Sequence, residues 1–247
     1  MFIHCELVIL ILALTLGDQV HTGEIIRGHE AKPHSRPYMV LLERHMQDGT
    51  LKYCGGFLLN EDFVMTAAHC LAKSYKLLLG VHDVRKNNEI QQVSVQQAFP
   101  HKDYDATTYK NDIMLLKLSS KVKSSKNVRP IALAGQDDGS LPKSCIISGW
   151  GRADKNRKHM SLVLMEVNVT LIDKEECRQE NSYCSEGETG PGEGDSGGPL
   201  VCEDEKAYGV MSYILIPHTG GPEMNVYAKI SDYKRWMDLT IKNVSFD

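Results

Sequence analysis

The segment Gly194-Asp-Ser-Gly-Gly-Pro199 is the part of the chain whose residue types point most directly to chemistry. Glycines are crowded around it: Gly187, Gly190, Gly192, Gly194, Gly197 and Gly198. This density predicts tight turns and a close approach of the backbone to its neighbours. An ordinary Gly-rich connection is the alternative interpretation, but the full string arises by chance on the order of once in 10⁵ chains of this length. Ser196 is therefore a candidate nucleophile.

A serine hydroxyl attacks a carbonyl only when a base removes its proton and a third group orients that base. The motif Thr66-Ala-Ala-His-Cys70 places His69 after an apolar stretch, and Lys110-Asn-Asp-Ile-Met-Leu-Leu116 places Asp112 at the start of another. Taken alone, such a histidine is more often structural and such an aspartate belongs to a turn. The three motifs occur in the order His, Asp, Ser, which one convergent family of triad hydrolases uses. They predict nucleophilic catalysis of acyl transfer.

Short apolar stretches separated by turn residues recur along the chain and predict many β-strands, as in a barrel or sandwich. Only the C-terminal region is predicted to be a helix. Ser231 is the expected N-cap, and one face carries Tyr233, Trp236, Met237, Thr240 and Ile241. The polar stretch 119–127 and the turn-rich stretch 135–142 indicate a connection between two similar halves.

Composition restricts the possible classes of function. The chain has 247 residues, 28 of them Lys or Arg and 32 Asp or Glu, with a net charge of −4 and no long run of either sign. It is long enough for one large domain or two small ones. The weak acidic balance gives no electrostatic reason to expect nucleic acid or an anionic membrane as a partner.

The apolar run Leu7–Gly17 lies close to the N-terminus. It is too short to span a membrane, which takes roughly 20 residues, and it suits a secretory signal peptide over residues 1–22, cut after Gly17 or Thr22. A buried N-terminal strand is the alternative. Removal of residues 1–24 takes three acidic residues and no basic one, which leaves 28 positive against 29 negative side chains. The mature chain is therefore expected to be nearly neutral.

The cysteine count fits secretion. The chain has seven cysteines, and loss of Cys5 with the signal peptide leaves an even set of six. In an oxidising compartment such a set predicts three disulfides, although spacing alone leaves 15 pairings open. A zinc site is the competing interpretation; with no Cys-x2-Cys pair and scattered histidines, no metal is expected. The sequons at Asn168 and Asn243 become candidate glycosylation sites, with an unmodified strand residue equally expected at Asn168.

The chain beyond residue 24 resembles chymotrypsin-fold serine proteases of the granzyme and mast-cell-protease branch. The matching stretches are Ile25-Ile-Arg-Gly28, residues 31–39, Cys54-Gly-Gly56, the His69 and Asp112 motifs, Ser148-Gly-Trp-Gly151, residues 194–199 and Ser212-Tyr213. The resemblance implies an all-β fold of two six-stranded antiparallel β-barrels with a C-terminal α-helix. Barrel 1 is expected over about residues 38–130, barrel 2 over about 140–230 and the helix over 231–243.

The same resemblance implies a role for individual residues. Ser196 would attack the peptide carbonyl, His69 would carry the proton, and Asp112, helped by Ser212, would orient His69. The backbone N–H groups of Gly194 and Ser196 would form the oxyanion hole. The implied disulfides are Cys54–Cys70, Cys145–Cys202 and Cys177–Cys184.

The resemblance also implies activation by cleavage of the Glu24–Ile25 bond. The new Ile25 ammonium would pair with Asp195, and the dipeptide 23–24 would be removed by a dipeptidyl aminopeptidase because no basic residue precedes the bond. The expected protein is a secreted or granule-stored monomer without a cofactor. Its partners would be peptide or protein substrates, the activating peptidase and serpin-type inhibitors.

Substrate preference is where the chain departs from its relatives. Gly190 would form the floor of the S1 pocket, the pocket for the residue before the scissile bond (P1), and Asn225 its back corner. Ile214 stands after Ser212-Tyr213, where glycine is usual, and would narrow the mouth. These residues predict a small or medium apolar P1, while Glu193, with Glu186 and Glu188, would favour basic residues elsewhere in the substrate. The alternative function is a protease-fold binding protein that cleaves weakly because this pocket is remodelled.

Overall fold

The computed structural model describes residues 25–86, 90–135, 141–142, 144–152, 159–179, 181–187, 189–216 and 221–244. The predicted signal peptide, the dipeptide 23–24 with Glu24, and Glu188 lie outside the described residues. Within them, the chain is built mainly of short antiparallel strands, as the turn-separated apolar stretches predict.

The N-terminal half of the chain forms a closed six-stranded barrel. After a two-residue strand β1 (His29–Glu30), its strands are β2 (Met39–His45), β3 (Leu51–Asn60), β4 (Phe63–Thr66), β5 (Ser74–Leu79), β6 (Gln91–Pro100) and β7 (Met114–Leu118). The barrel closes in the order β2-β3-β4-β7-β6-β5. The two strands that lead to His69 and away from Asp112, β4 and β7, are paired and almost wholly buried. Their pairing brings the two motifs to the same end of the barrel.

The C-terminal half forms a second antiparallel sheet. Its strands are β8 (Cys145–Gly149), β9 (Met165–Val169), β10 (Leu171–Ile172), β11 (Ser182–Glu186), β12 (Pro199–Cys202), β13 (Ala207–Leu215) and β14 (Met224–Lys229). The order is β1-β9-β8-β12-β13-β14-β11-β10, which makes eight strands where the expected barrel has six. The all-β class, the first barrel and the C-terminal helix are confirmed. The extra members β1 and β10 have two residues each, too few for a periodic pattern in the sequence.

Two α-helices accompany the sheets in the part of the chain that the structure describes. Helix α1 (Glu175–Gln179) is short, and α2 (Lys234–Val244) follows a 3₁₀ turn over Ile230–Tyr233. Ser231, predicted as the N-cap, lies inside that turn, so this prediction is wrong in its boundary. The predicted apolar face is present, since Met237 is buried and Trp236 and Ile241 pack against the core. Among the described residues, no helix is long and apolar enough to cross a membrane.

The two halves are joined by packing and by backbone pairing. Trp150, from the C-terminal half, is buried in the same cluster as the barrel interior and donates its indole N–H to the carbonyl of His82 at 3.4 Å. The N-terminal strand β1 pairs with β9, with His29 opposite Glu166. A chain segment that precedes the barrel is therefore part of the other sheet.

Three disulfides stabilise the described structure. They join Cys54 to Cys70, Cys145 to Cys202 and Cys177 to Cys184, which are the pairs that the resemblance implies. The first ties β3 to the turn that carries His69, and the second ties β8 to β12. The first therefore fixes the turn next to His69.

The barrel interior gives a stability prediction. Phe57 is fully buried, and replacement by alanine removes a ring that neighbouring side chains only partly replace. We expect Phe57→Ala to lower the free energy of unfolding by about 3–5 kcal/mol. Denaturant unfolding of matched samples measures this. Leu239→Ala, at a helix position 52% exposed, is the control and is expected to change stability by less than about 0.5 kcal/mol. Equal effects of the two changes would contradict the assignment of Phe57 to the core.

Candidate active site

His69 and Asp112 are held together by two hydrogen bonds. His69 lies in a 3₁₀ turn directly after β4, and its Nδ1 is 2.7 Å from Asp112 Oδ2. The backbone N–H of His69 donates to Asp112 Oδ1 at 2.8 Å, so both carboxylate oxygens hold the same residue. Asp112 is 1% exposed. Because this carboxylate accepts the Nδ1 proton, the other ring nitrogen, Nε2, carries the free lone pair.

Ser212 completes the environment of the carboxylate. It lies in β13, and its hydroxyl donates to Asp112 Oδ2 at 2.5 Å. The sheet of the C-terminal half thus contributes a donor to a carboxylate of the barrel. His69 and Ser212, which are far apart in the sequence, thus both bond to the buried carboxylate of Asp112.

Ser196 lies on a loop whose shape depends on glycine. Gly197 has φ +85°, and a Cβ there would lie 2.1 Å from Thr66 Oγ1 and 2.6 Å from the Gly55 carbonyl oxygen. The Gly55 N–H donates to the Ser196 carbonyl at 2.8 Å. The loop therefore docks directly on the barrel backbone, where no side chain fits. Ser196 and His69 line the same cavity, with no hydrogen bond between their side chains among the described residues.

The backbone N–H groups of Gly194 and Ser196 differ from those of the residues around them in their hydrogen bonding. Asp195, Gly197 and Gly198 donate to the carbonyls of Gly192, Met211 and Asp195, respectively. Within the described part of the chain, the N–H groups of Gly194 and Ser196 have no acceptor. Gly194 adopts φ +103°, a conformation that favours glycine. Two unsatisfied donors beside the predicted nucleophile are the arrangement that the binding of an oxyanion requires.

Asp195 is a buried carboxylate without a cationic partner among the described residues. Its side chain is fully buried, and its oxygens accept N–H bonds from Gly151 at 2.6 Å and Gly192 at 2.8 Å. A Cβ at Gly149 would lie 2.0 Å from Asp195 Oδ1, and one at Gly151 2.5 Å from its Oδ2. The glycines of the Ser148–Gly151 motif thus make room for this group. Burial raises the pKa of Asp195 to about 6.

Ile25 and Ile26 begin the stretch that resembles the protease family, and they pack near the loop that carries Asp195. Ile25 is fully buried in the apolar core of the C-terminal sheet, and Ile26 donates its N–H to the Gly190 carbonyl at 3.1 Å. In the full chain the Ile25 nitrogen belongs to a peptide bond with Glu24, so it carries no charge. The ion pair predicted between Ile25 and Asp195 stays a prediction about the processed chain.

Gly190 and Asn225 lie against one another. A Cβ at Gly190 would be 2.5 Å from Asn225 Nδ2, so the glycine leaves room for the amide. Asn225 is 6% exposed, and its Nδ2 donates to Ser185 Oγ at 3.4 Å. Ile214 is the cross-strand partner of Asn225 and is 40% exposed. A neutral amide thus borders the predicted pocket, with a branched apolar side chain on the neighbouring strand.

An aromatic wall next to His69 combines Tyr213, from the predicted substrate-binding stretch 212–214, with Tyr109, which sequence reasoning missed. The Tyr109 ring stacks on the Tyr213 ring with a centroid separation of 5.2 Å and meets the His69 ring edge-on at 5.8 Å. Tyr109 has φ +58°, which is rare for a bulky residue, and its turn is held by bonds to Asp105. A tyrosine in a polar loop carries no sequence signal of this kind, apart from its place three residues before Asp112.

A cavity of about 1130 Å³ extends from Ser196 along the junction of the two halves. Lys52, Lys76, Arg44, Arg152 and Glu193 are among the charged residues that line it. The Glu193 carboxylate is 3.0 Å from Arg152 Nη1, and Glu186 pairs with Lys174. These cationic partners offset the negative charge that was expected to favour basic substrate residues. Glu188 lies outside the described residues, so the preference for basic residues elsewhere in the substrate stays a prediction.

The remaining candidate residues have simpler surroundings. Cys54, His69 and Cys70 place potential metal-ligand atoms within 4.8 Å, but both sulfurs are consumed by the disulfide and His69 Nδ1 by Asp112. Asn168 is exposed on β9 between buried neighbours, and Asn243 is exposed near the end of α2. Both asparagines are thus accessible, and their glycosylation stays a prediction.

The sequence and fold have known relatives. The family model described as Trypsin matches residues 25–237. The chain is 39% identical to Granzyme B(G,H) of Mus musculus over 251 residues, which is 96% of this chain and 99% of the relative. It is 38% identical to Granzyme B of Homo sapiens, with 95% of this chain and 98% of the relative covered. For Cathepsin G of Homo sapiens the identity is 36%, with 95% and 94% covered.

A solved structure described as "Structure of GrC" superposes with a TM-score of 0.76 at 34% identity, covering 88% of this chain and all of the other. The chain therefore belongs to the trypsin family of serine endopeptidases. Within that family it is granzyme-like, and its substrates are peptides or proteins.

The buried Asp195 carboxylate predicts a pH dependence of stability in the full chain. Its folded pKa is about 6 against about 4 when unfolded, so the folded state holds a proton that the unfolded state has released between these values. We expect the free energy of unfolding to fall by about 2 kcal/mol as pH rises from 4 to 6. Asp195→Asn should abolish this component of the slope. Equal slopes for the two proteins in denaturant unfolding would contradict it.

Proposed function

We propose that the chain is a secreted or granule-stored serine endopeptidase that cleaves peptide bonds through an acyl-enzyme formed on Ser196. The observation that carries the proposal is the 2.7 Å bond between His69 Nδ1 and the buried Asp112 carboxylate. It leaves His69 Nε2 as a base on the wall of the cavity that also holds Ser196. A residue pair used only for packing or binding has no need for this tautomer.

The mechanism follows from these contacts. The substrate carbonyl enters beside Ser196, and His69 Nε2 takes the hydroxyl proton as the oxygen attacks. Negative charge develops on the carbonyl oxygen and is met by the free N–H groups of Gly194 and Ser196. His69 then returns the proton to the leaving amine. Asp112, held by Ser212, stabilises the imidazolium, and water repeats the sequence to release the acid product.

Activation rests on the buried charge of Asp195. Residues 1–22 are the proposed signal peptide, and residues 23–24 the dipeptide that a dipeptidyl aminopeptidase removes, so that the mature peptidase domain spans 25–247. The new Ile25 ammonium would supply the cation that Asp195 lacks. Pairing there would fix the adjacent loop, on which the N–H groups of Gly194 and Ser196 lie. The carboxylate thus couples processing to the oxyanion hole.

The surroundings of Gly190 support a preference for a small or medium apolar P1 residue. Gly190 leaves the pocket floor without the carboxylate that would attract Lys or Arg, and Asn225 is a neutral amide that provides no cation for an acidic P1 residue. Ile214 stands on the adjoining strand and limits the width of the mouth. Tyr213 supplies the flat wall next to it. The mature enzyme acts as a monomer, and serpin-type inhibitors, which present a P1 residue as substrates do, are its expected regulators.

Labelling with a fluorophosphonate tests the triad and the activation step together. A chain that begins at Ile25 should label at Ser196, and a chain that begins at Gly23 should label far more slowly because its ammonium lies two residues away. Ser196→Ala should abolish labelling and lower peptide cleavage by about 10⁶-fold. Mass spectrometry of the modified peptide identifies the labelled residue and measures the extent of labelling. An unlabelled Ile25 form would favour the protease-fold binding protein instead.

The P1 preference is tested by a peptide library on the same processed chain. We expect cleavage after small and medium apolar residues, and Ile214→Gly should widen the mouth and raise the relative rate for Phe and Leu by roughly 10-fold or more. Leu239→Ala, far from the pocket on α2, is the control and should leave the profile unchanged. A profile dominated by Lys, Arg or Asp would overturn the assignment.

A further inference from the structure

Arg44 is a buried cation at the end of the barrel nearest His69. It lies in β2 on the same side of the strand as Leu42, and it is 7% exposed. Its strand neighbours across the sheet are Lys52 on β3 and Tyr75 on β5. A position that faces the interior of a barrel normally takes an apolar side chain, so the arginine needs a reason.

The guanidinium is bonded to the segment that carries His69. Arg44 Nη2 donates to the carbonyl oxygens of His69 at 3.0 Å and Leu71 at 3.3 Å. Arg44 Nη1 lies 3.4 Å from Cys54 Sγ, beside the disulfide that ends in this segment. One side chain thus holds two carbonyls on either side of Cys70.

Tyr75 holds the groups between and after these carbonyls. Its hydroxyl donates to the Cys70 carbonyl at 3.2 Å and accepts the Ala72 N–H at 2.8 Å. The 3₁₀ turn itself supplies only the bonds from Cys70 N–H to Ala67 and from Leu71 N–H to Ala68. The carbonyls of His69, Cys70 and Leu71 therefore depend on two side chains from the barrel.

His69 is consequently held from two directions. Asp112 fixes its ring and its N–H, and Arg44 fixes its carbonyl. No other residue in the described part of the chain bonds to that carbonyl. A shift of the turn would move Nε2 relative to Ser196, and a displacement of about 1 Å can lower a rate by 10²-fold.

Packing alone does not account for an arginine at this position. No carboxylate pairs with Arg44 among the described residues, and burial lowers the pKa of its guanidinium. An apolar side chain of similar size would fill the barrel end without the cost of removing a charge from water. What it would not provide is a pair of rigid donors for two carbonyls.

We propose that Arg44, assisted by Tyr75, is a positioning residue for His69 in the proposed peptidase reaction. Its hydrogen bonds go to the backbone carbonyls of the turn and not to the side chains of His69 or Ser196. Its planar fork sets the position of the turn, and the turn sets the distance from the base to the nucleophile. The inference rests on the proposed function, because a position of His69 matters only where His69 acts as a base.

The test compares Arg44→Met, Arg44→Lys and Tyr75→Phe in the chain processed to Ile25, with Arg85→Met as a matched control. Arg85 is exposed and pairs with Asp83, away from the turn. Active sites are counted by fluorophosphonate titration, and kcat and KM are measured per active site. We expect Arg44→Met to lower kcat by about 10- to 100-fold with KM changed by less than about 2-fold.

The other variants separate positioning from bulk stability. Arg44→Lys keeps the charge and one donor nitrogen, so it should recover part of kcat, and Tyr75→Phe should show a smaller loss. The proton NMR resonance of the His69 Nδ1–H bond, read by comparison with the parent protein, should shift or broaden in Arg44→Met. A merely structural role would lower Tm and the number of active sites and leave kcat per site and this resonance unchanged.

The outcomes for the two proposals are distinct. If the unmodified chain processed to Ile25 fails to label, the proposed function fails. If it labels and turns over, and Arg44→Met equals Arg85→Met in kcat per site, the positioning role is overturned. If Arg44→Met does not fold, Arg44→Lys and Tyr75→Phe provide the test. A kcat per site equal to that of the parent protein in both variants would overturn the positioning role.

Discussion

The burial of a single carboxylate, Asp195, determines the conformation of the loop that carries Ser196. Its oxygens are held by the N–H groups of Gly151 and Gly192, and space for it exists only because Gly149 and Gly151 lack side chains. The loop that presents Ser196 is continuous with this carboxylate. Its geometry and the charge state of a buried group are therefore linked, and two glycine-rich motifs distant in the sequence serve the same requirement.

A second buried carboxylate serves the opposite end of the site. Asp112 belongs to the barrel, yet it accepts hydrogen bonds from His69 of the barrel and Ser212 of the other sheet. Each half of the molecule thus completes a site that neither contains alone. The hydrogen bond from Trp150 to His82 and the pairing of β1 with β9 hold the two halves together. The relative position of His69 and Ser196 therefore depends on contacts outside the cleft.

The sequence was sufficient for the parts of the site that local chemistry specifies. The Gly194–Pro199 string, the residues His69 and Asp112 and the strand-rich architecture all follow from residue types and spacing. The sequence was insufficient for features that depend on packing between residues far apart in the chain. The Tyr109–Tyr213 stack joins a polar loop to a strand about a hundred residues away, and Arg44 reads as an exposed charge until β2 and β5 are paired. Strands β1 and β10 are too short for any periodicity, and Ser231 joined a 3₁₀ turn that continues into α2.

The position of strand β1 affects the rate of the proposed activation at Ile25. It begins four residues after Ile25 and is paired to β9, so a terminus released at Ile25 remains tethered within about 13 Å of its anchor. A group confined to such a sphere has a local concentration on the order of 0.1 M, whatever the concentration of the protein. Insertion of the new end would then be a unimolecular step with almost no search. In the proposed activation, the trimming peptidase would therefore set the rate at which molecules become competent, and dilution on release would not reverse it.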